Sequence, residues 1–284
     1  MNRIARLAGL VWGLQRLVLG LVMLCIFAAA KADGLFTKWE SLPKEKKLIY
    51  ANVALAGAVT AWGIAFWDYG DNSPFSESEG WFGRDTEEGG MDKLGHAYLS
   101  YIYTHGFAAL YEHWGFEPEK AARYGAFSSL WLQTFMEIGD SLSRFGFSHE
   151  DAIMNVAGTG FGYLTWRYPE LSRKLDFRVE ITPEFNKTDF FTDYEQQKYL
   201  LAFKLDGFET LERTPLRYFE LHLGYYARGY SEPPPTPRER NVYIGIGVNL
   251  SSFFRRHGWT KTATVLRYVQ PPYTTLKLET DLNR

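Results

Sequence analysis

Three sets of polar side chains recur at helical spacing inside otherwise apolar stretches. Asp92, His96, Ser100 and Tyr103 fall at i, i+4, i+8 and i+11. Ser129, Gln133, Glu137 and Asp140 repeat that spacing, and Asp151, Asn155, Thr159 and Gly162 repeat it again. Each set lies along one face of a helix. Burying such groups without partners costs ~1–3 kcal/mol each, so the economical arrangement turns the three stripes toward one another. Asp92, His96, Glu137 and Asp151 would then offer the oxygen and imidazole donors that hold Mn, Fe, Zn or Mg. The same groups also suit acid–base chemistry, with one carboxylate orienting His96 and another raised in pKa by its neighbours. His96, Glu137 and Asp151 are therefore the candidate catalytic residues, and Asp92, Lys93, Gln133, Asp140, Ser148 and Asn155 the candidate binding residues. A divalent metal is the cofactor this donor set suggests. The structural alternative is a buried hydrogen-bond network that fixes helix register, with Lys93 paired to an acid.

The elements that must position these groups follow from local pattern. Residues 48–67 carry no formal charge, long enough for a bilayer span or a central buried helix. Residues 68–91 are an acidic loop with Trp81 and Phe82 as aromatic anchors. It reads as solvated, since the ordered spacing of an EF-hand is absent. Three helices are predicted next: 92–114 with Asp92 as N-cap, 118–140 with Pro118 in the first turn, and 148–167 opened by Ser148 with Asp151 three residues on. The last closes at Tyr168-Pro169. Gly158, Gly160 and Gly162 form a small-residue face for close helix approach. His105 lies about half a circle from His96 and off the polar face, and His149 is expected to be exposed. Trp62, Trp67, Trp114 and Trp166 sit near helix ends, where they mark a membrane interface or pack at the core's rim.

Beyond about residue 175 the period changes to two. Phe219, Leu221, Leu223, Tyr225 and Ala227 alternate with more polar neighbours, as do Val242, Ile244, Ile246, Val248 and Leu250. Weaker strand signals lie at 198–208 and 262–269, and the proline-rich run 232–237 cannot pair in a sheet. The expected fold class is α+β: an N-terminal bundle of about four helices followed by a C-terminal antiparallel β region. The expected division is a signal peptide at 1–32, a helical domain at 33–174 and the β region at 175–284. Tyr- and Gly-rich alternation resembles outer-membrane strands, but four or five strands are too few for a closed transmembrane barrel from one chain.

Composition narrows the functions. The 284 residues are 46% hydrophobic and 23% charged with a formal net charge of −2, so a packed core is feasible and nucleic acid is not an expected partner. Aromatics reach 17%, which suits a membrane-interface, envelope β or carbohydrate-binding protein. Arg3, Arg6 and Arg16 precede an apolar run from Leu17 to Ala30, then Ala30-Lys31-Ala32. This describes a secretory leader cut after Ala32; the rival reading, an uncleaved anchor from Ala8, places Arg16 in its middle. The single cysteine, Cys25, lies in the leader, so the mature chain has no disulfide or thiolate chemistry. Leu24 before Cys25 is too bulky for a lipoprotein cleavage site. No G-x-S-x-G, P-loop or H-E-x-x-H motif is present.

Met91-Asp92-Lys93-Leu94-Gly95-His96-Ala97-Tyr98, then Glu137-Ile138-Gly139-Asp140, Gly146-Phe147-Ser148, Asp151 and Asn155-Val156-Ala157-Gly158 resemble the YfiM-like family of uncharacterised envelope proteins, the DUF2279 domain. Trp81-Phe82 and the strand 243–250 share that likeness. Over residues 92–162 the D-K-x-x-H, E and D-x-x-x-N pattern is more distantly similar to the VanZ-like membrane proteins associated with glycopeptide resistance, with shorter hydrophobic spans here. The resemblance implies an exported protein of the periplasm or outer membrane, with membrane lipid or an envelope protein as partner, and implies no particular reaction. Two functions stay open: a membrane-associated envelope protein whose polar stripe is internal glue, or a metal- or carboxylate-dependent hydrolase or transferase acting on a lipid-linked or cell-wall substrate.

Overall fold

The computed structural model describes residues 38–182, 193–230 and 236–284. The expected leader, with Cys25, lies outside the described residues, as does most of the proline-rich run. The described residues include four long helices ahead of the sheet: α1 (Lys44–Phe66), α2 (Met91–His113), α3 (Pro118–Asp140) and α4 (His149–Arg167). Pro118 occupies the first turn of α3, where its missing N–H has no helical partner to lose. Asp92 does not cap α2. That place belongs to Gly90 at φ 86°, a left-handed conformation open to glycine, which moves Asp92 into the first turn. At α4 the Ser148 hydroxyl accepts from the Asp151 amide at 3.3 Å, the expected cap. The acidic loop is held more closely than a solvated one. Its β1 (Ser76–Glu77) pairs in parallel with β2 (Phe147–Ser148), and Phe82 meets Tyr225 edge-on at 5.4 Å. Phe82 is thus an anchor, whereas Trp81 is exposed.

A short helix α5 (Pro169–Lys174) leads into the sheet: β3 (Leu175–Ile181), β4 (Gln197–Lys204), β5 (Phe219–Arg228), β6 (Glu239–Val248), β7 (Val269–Gln270) and β8 (Thr275–Asp281). Strand order is β7-β3-β4-β5-β6-β8, antiparallel except for β7 beside β3. The expected strand at 262–269 is mostly not one. After α6 (Leu250–Arg256), residues Thr260–Val265 form helix α7, and only Val269 and Gln270 pair. The Thr264 hydroxyl bonds the Thr260 carbonyl within that helix at 2.9 Å, so threonine's β preference is overridden.

The sheet is strongly curled. Six flat strands would hold β7 and β8 about 24 Å apart, yet only residues 271–274 join them, a reach of about 17 Å. Its concave side is charged, sealed around Asp176, Arg178 and Glu220 and open to a pocket beside Lys198, Tyr226 and Lys277. Arg178 forks onto Glu220 at 2.6 and 3.0 Å, and also meets Gln270 at 2.7 Å and Asp176 at 3.0 Å. Lys204 reaches Asp176 at 2.8 Å, and His222 bridges Glu220 and Thr275, each at 2.9 Å. The convex side is apolar, and α2 covers the sector over β3 and β4. There Tyr98 packs on Phe177 and Tyr199 at 5.5 and 5.6 Å, and its hydroxyl donates to the Tyr268 carbonyl at 2.8 Å. Helix and strand residues share this apolar cluster.

Candidate polar centre between the helices

Close approach of two backbones makes the centre. Gly158 of α4 sits against Ala97 of α2 so tightly that a Cβ there would lie 2.0 Å from the Ala97 carbonyl oxygen. Gly162 makes the second contact of that face, against Thr104, while Gly160 meets nothing within 4 Å. With α2 and α4 in contact and α3 alongside, the three stripes meet in layers.

The deepest layer is neutral. The Ser129 hydroxyl donates to the Ser100 carbonyl at 2.9 Å and lies 3.5 Å from Thr159. Above it, Asn155 gathers Ser100 of α2 and both Gln133 and Glu137 of α3. Its Oδ1 accepts from Gln133 at 2.8 Å and from the Ser100 hydroxyl at 3.0 Å, and its Nδ2 donates to Glu137 at 3.2 Å. Asn155, Gln133 and Ser100 are buried. Tyr103, which the spacing placed on this stripe, instead packs in the apolar cluster around Phe107. The inward row on α2 advances in steps of four through His96, Ser100 and Thr104, and Tyr103 lies to its side, nearer the direction of Asp92.

The upper layer is ionic. His96 lies between two carboxylates: its Nδ1 is 3.5 Å from Glu137 and 3.3 Å from Asn155 Oδ1, and its Nε2 is 3.7 Å from Asp151. One ligand atom from each of His96, Glu137 and Asp151 falls within 4.8 Å of the others. The His96 side chain is 25% exposed whereas the two carboxylates are buried, so the centre opens on its histidine side. Lys93 Nζ takes the neighbouring position, 2.8 Å from Asp92, 2.9 Å from Asp151 Oδ1, and paired with Glu79. Asp151 Oδ1 accepts no well-directed hydrogen bond, so its partner is the Lys93 charge itself. Glu79, Asp92 and Asp151 form a second carboxylate set, and the Lys93 ammonium is the cation within it. Asp92 therefore belongs with Lys93 and not with His96 and Glu137.

Electrostatics follow from this crowding. Burial, with Asp151 and Asp140 nearby, pushes the Glu137 carboxyl up to about 8. Burial likewise raises Asp140 to about 6, against a hydrogen bond from Tyr69 that favours its ionised form. Burial works against the Lys93 charge, but Asp92 and Asp151 more than offset it and hold the ammonium protonated. A Glu137 carboxyl that keeps its proton, beside an imidazole and within reach of a second carboxyl group, is an arrangement that can hold and pass a proton. His96, Glu137 and Asp151 also form a nitrogen–oxygen donor set able to hold a divalent cation.

The sequence-derived residues thus converge. Asp140 stands at the edge beside Tyr69, and Ser148 caps α4 with Lys93 3.5 Å from its hydroxyl. His105 is off the face as expected, buried between Tyr268 at 2.8 Å, Thr165 at 2.9 Å and the Gly162 carbonyl. His149 is exposed. Sequence reasoning missed Glu79, and with it the Ser78 hydroxyl bonded to Glu150 at 2.6 Å. Both come from the acidic loop, where a two-residue parallel pairing sets the approach and no periodicity announces it.

Residues 78–167, which include every member of this centre, match the family described as predicted periplasmic lipoprotein (DUF2279). No curated protein and no solved structure matches the chain.

Proposed function

We propose that the protein works in contact with a membrane, a reading supported by the match of residues 78–167 to the family described as predicted periplasmic lipoprotein (DUF2279). The observation that carries this is α1. Its 23 residues extend about 34 Å and are apolar enough to cross a bilayer. Only Ala56 and Gly63 are buried, and Ile49, Tyr50, Val53 and Ile64 are exposed. The matched segment does not reach Cys25, and Leu24 disfavours a lipid there, so α1 is the contact we assign. Fractionation of cells producing the full chain tests this. The protein should sediment with membranes, and Val53→Asp with Ile64→Asp should release it; wild type recovered among soluble periplasmic proteins would overturn the proposal.

A second reading is favoured by His96 lying between Glu137 and Asp151 on the open side of the centre. In it the protein is a hydrolase or transferase acting on a lipid-linked or cell-wall substrate. His96, Glu137 and Asp151 would hold a divalent cation, which when bound acidifies water. Lys93 would fix the Asp151 carboxylate, and Asn155 would hold the Glu137 oxygen in place. An assay of lipid-linked cell-wall precursors with added Mg, Mn or Zn tests it. His96→Ala and Glu137→Gln should abolish turnover while sparing the melting temperature. Loss of stability in step with loss of function would leave the centre as structural glue.

A further inference from the structure

We infer that the convex face of the curled sheet is a second membrane-contact surface, immersed in one leaflet of a bilayer carrying anionic headgroups. This rests on the membrane reading above. Strand pairing aligns Phe177, Leu201, Leu223, Ile244 and Leu278 across the sheet on the convex side. Phe177 lies under α2 and is 8% exposed, but Leu223, Ile244 and Leu278 reach 44%, 60% and 76%. The next row repeats the trend, through Leu221 and Ile246 to Leu276, and Phe219 and Val248 form a third. Exposure of large aliphatic side chains therefore grows with distance from the helix that covers the first strand. The polarity of an ordinary half-buried sheet is reversed, since the ion pairs of Arg178, Asp176, Glu220 and Lys204 fill the concave side. Apolar out and charged in is the pattern of strands that face lipid.

Depth and charge decide the occupant. From Phe219 to Leu223 the band is about 14 Å tall, half of the ~30 Å hydrocarbon core, so it fits one leaflet and does not cross. At its Phe219–Val248 end the chain runs directly into residues 250–269, which hold Arg255, Arg256, Lys261 and Arg267 and no acidic residue. Arg255 and Arg256 reach Asp206 and Glu212 and Arg267 reaches Asp176, which leaves Lys261 as the segment's cation with no acidic partner among the described residues. Phe253, Trp259 and Val265 are exposed in the same segment. Basic and aromatic side chains together at the end of an apolar band match the headgroup level of an anionic bilayer.

The test uses the full chain carrying Cys25→Ser, with one environment-sensitive fluorophore placed by Ile244→Cys, Leu278→Cys or, on α1, Val53→Cys. Vesicles contain phosphatidylethanolamine and phosphatidylglycerol with brominated acyl chains. Both sheet positions should show about twofold quenching, the mark of shallow insertion, and replacing phosphatidylglycerol with phosphatidylcholine should weaken binding several-fold. Quenching at Val53 but at neither sheet position overturns this inference and leaves the membrane reading standing. No quenching anywhere overturns both. Sheet labels shielded without quenching, in step with a concentration-dependent dimer, would assign the face to a second copy of the chain and overturn the lipid assignment.

Discussion

Replacing Lys93 by Met removes the one cation among Glu79, Asp92 and Asp151 while keeping most of the buried stem. The cost can be worked from the three partners. Asp151 is buried, and its pair with Lys93 spans 2.9 Å. Stripping one partner from a buried pair costs ~3–5 kcal/mol, because a charge is left uncompensated. Asp92 and Glu79 are each at least a fifth exposed, so water screens them and each adds at most ~1 kcal/mol. A loss of ~3–5 kcal/mol lowers the melting temperature by about 6–20 °C for a chain of this size. Thermal unfolding followed by circular dichroism, in one detergent for all variants, measures it. Asp92→Asn should cost no more than ~1 kcal/mol, and Asp151→Asn added to Lys93→Met should restore part of the loss, since the stranded charge is gone. A Lys93→Met protein within ~1 kcal/mol of wild type would refute the reasoning, as would a double variant no more stable than the single.

Gly158→Ala should destabilise by ~1–3 kcal/mol through overpacking against the Ala97 carbonyl, whereas Gly160→Ala, with open space around it, should be neutral or stabilise by up to ~1 kcal/mol. Equal urea midpoints for the two would show that α2 and α4 do not touch there. The pH dependence also has a definite sign. Glu137 binds its proton more tightly in the fold, up to about 8, so between pH 6.5 and 8 the native state holds more protons than the unfolded one and stability falls as pH rises. In chelator-treated protein, Glu137→Gln should make that fall shallower, the remainder coming from Glu88, which burial raises to about 7, and an unchanged slope would assign it to another group. Arg178→Met should cost ~3–5 kcal/mol by leaving Glu220 and Asp176 buried without their shared cation; a melting temperature within two or three degrees of wild type would contradict a sealed concave network.

What the sequence disclosed follows the range of the interactions concerned. The stripes on α2, α3 and α4 are visible because helical period is local, and their mutual burial follows from the cost of isolating polar groups in apolar helices. Strands β5 and β6 show for the same reason at period two. Strand β3 escaped notice because Asp176, Arg178 and Glu180 occupy every second position, a pattern that suggests surface until Glu220 and Lys204 arrive from β5 and β4 to meet them. Likewise Glu79 looks like one more acid in a solvated loop until β1 pairs with β2 and brings it to Lys93. The reversed polarity of the sheet also lay in the alternation of β5 and β6. Its sense, aliphatic outward, needed the curl imposed by the short link between β7 and β8.

Titration of the Glu137 carboxyl carbon by carbon-13 NMR, in chelator-treated protein and with Glu137→Gln to assign the resonance, tests most directly whether polar groups of three helices share one interior. Meeting there with Asp151 and Asp140 out of water, the group should titrate near pH 8. A midpoint at the ordinary 4.5 would mean that Glu137 faces solvent alone and that the centre does not exist.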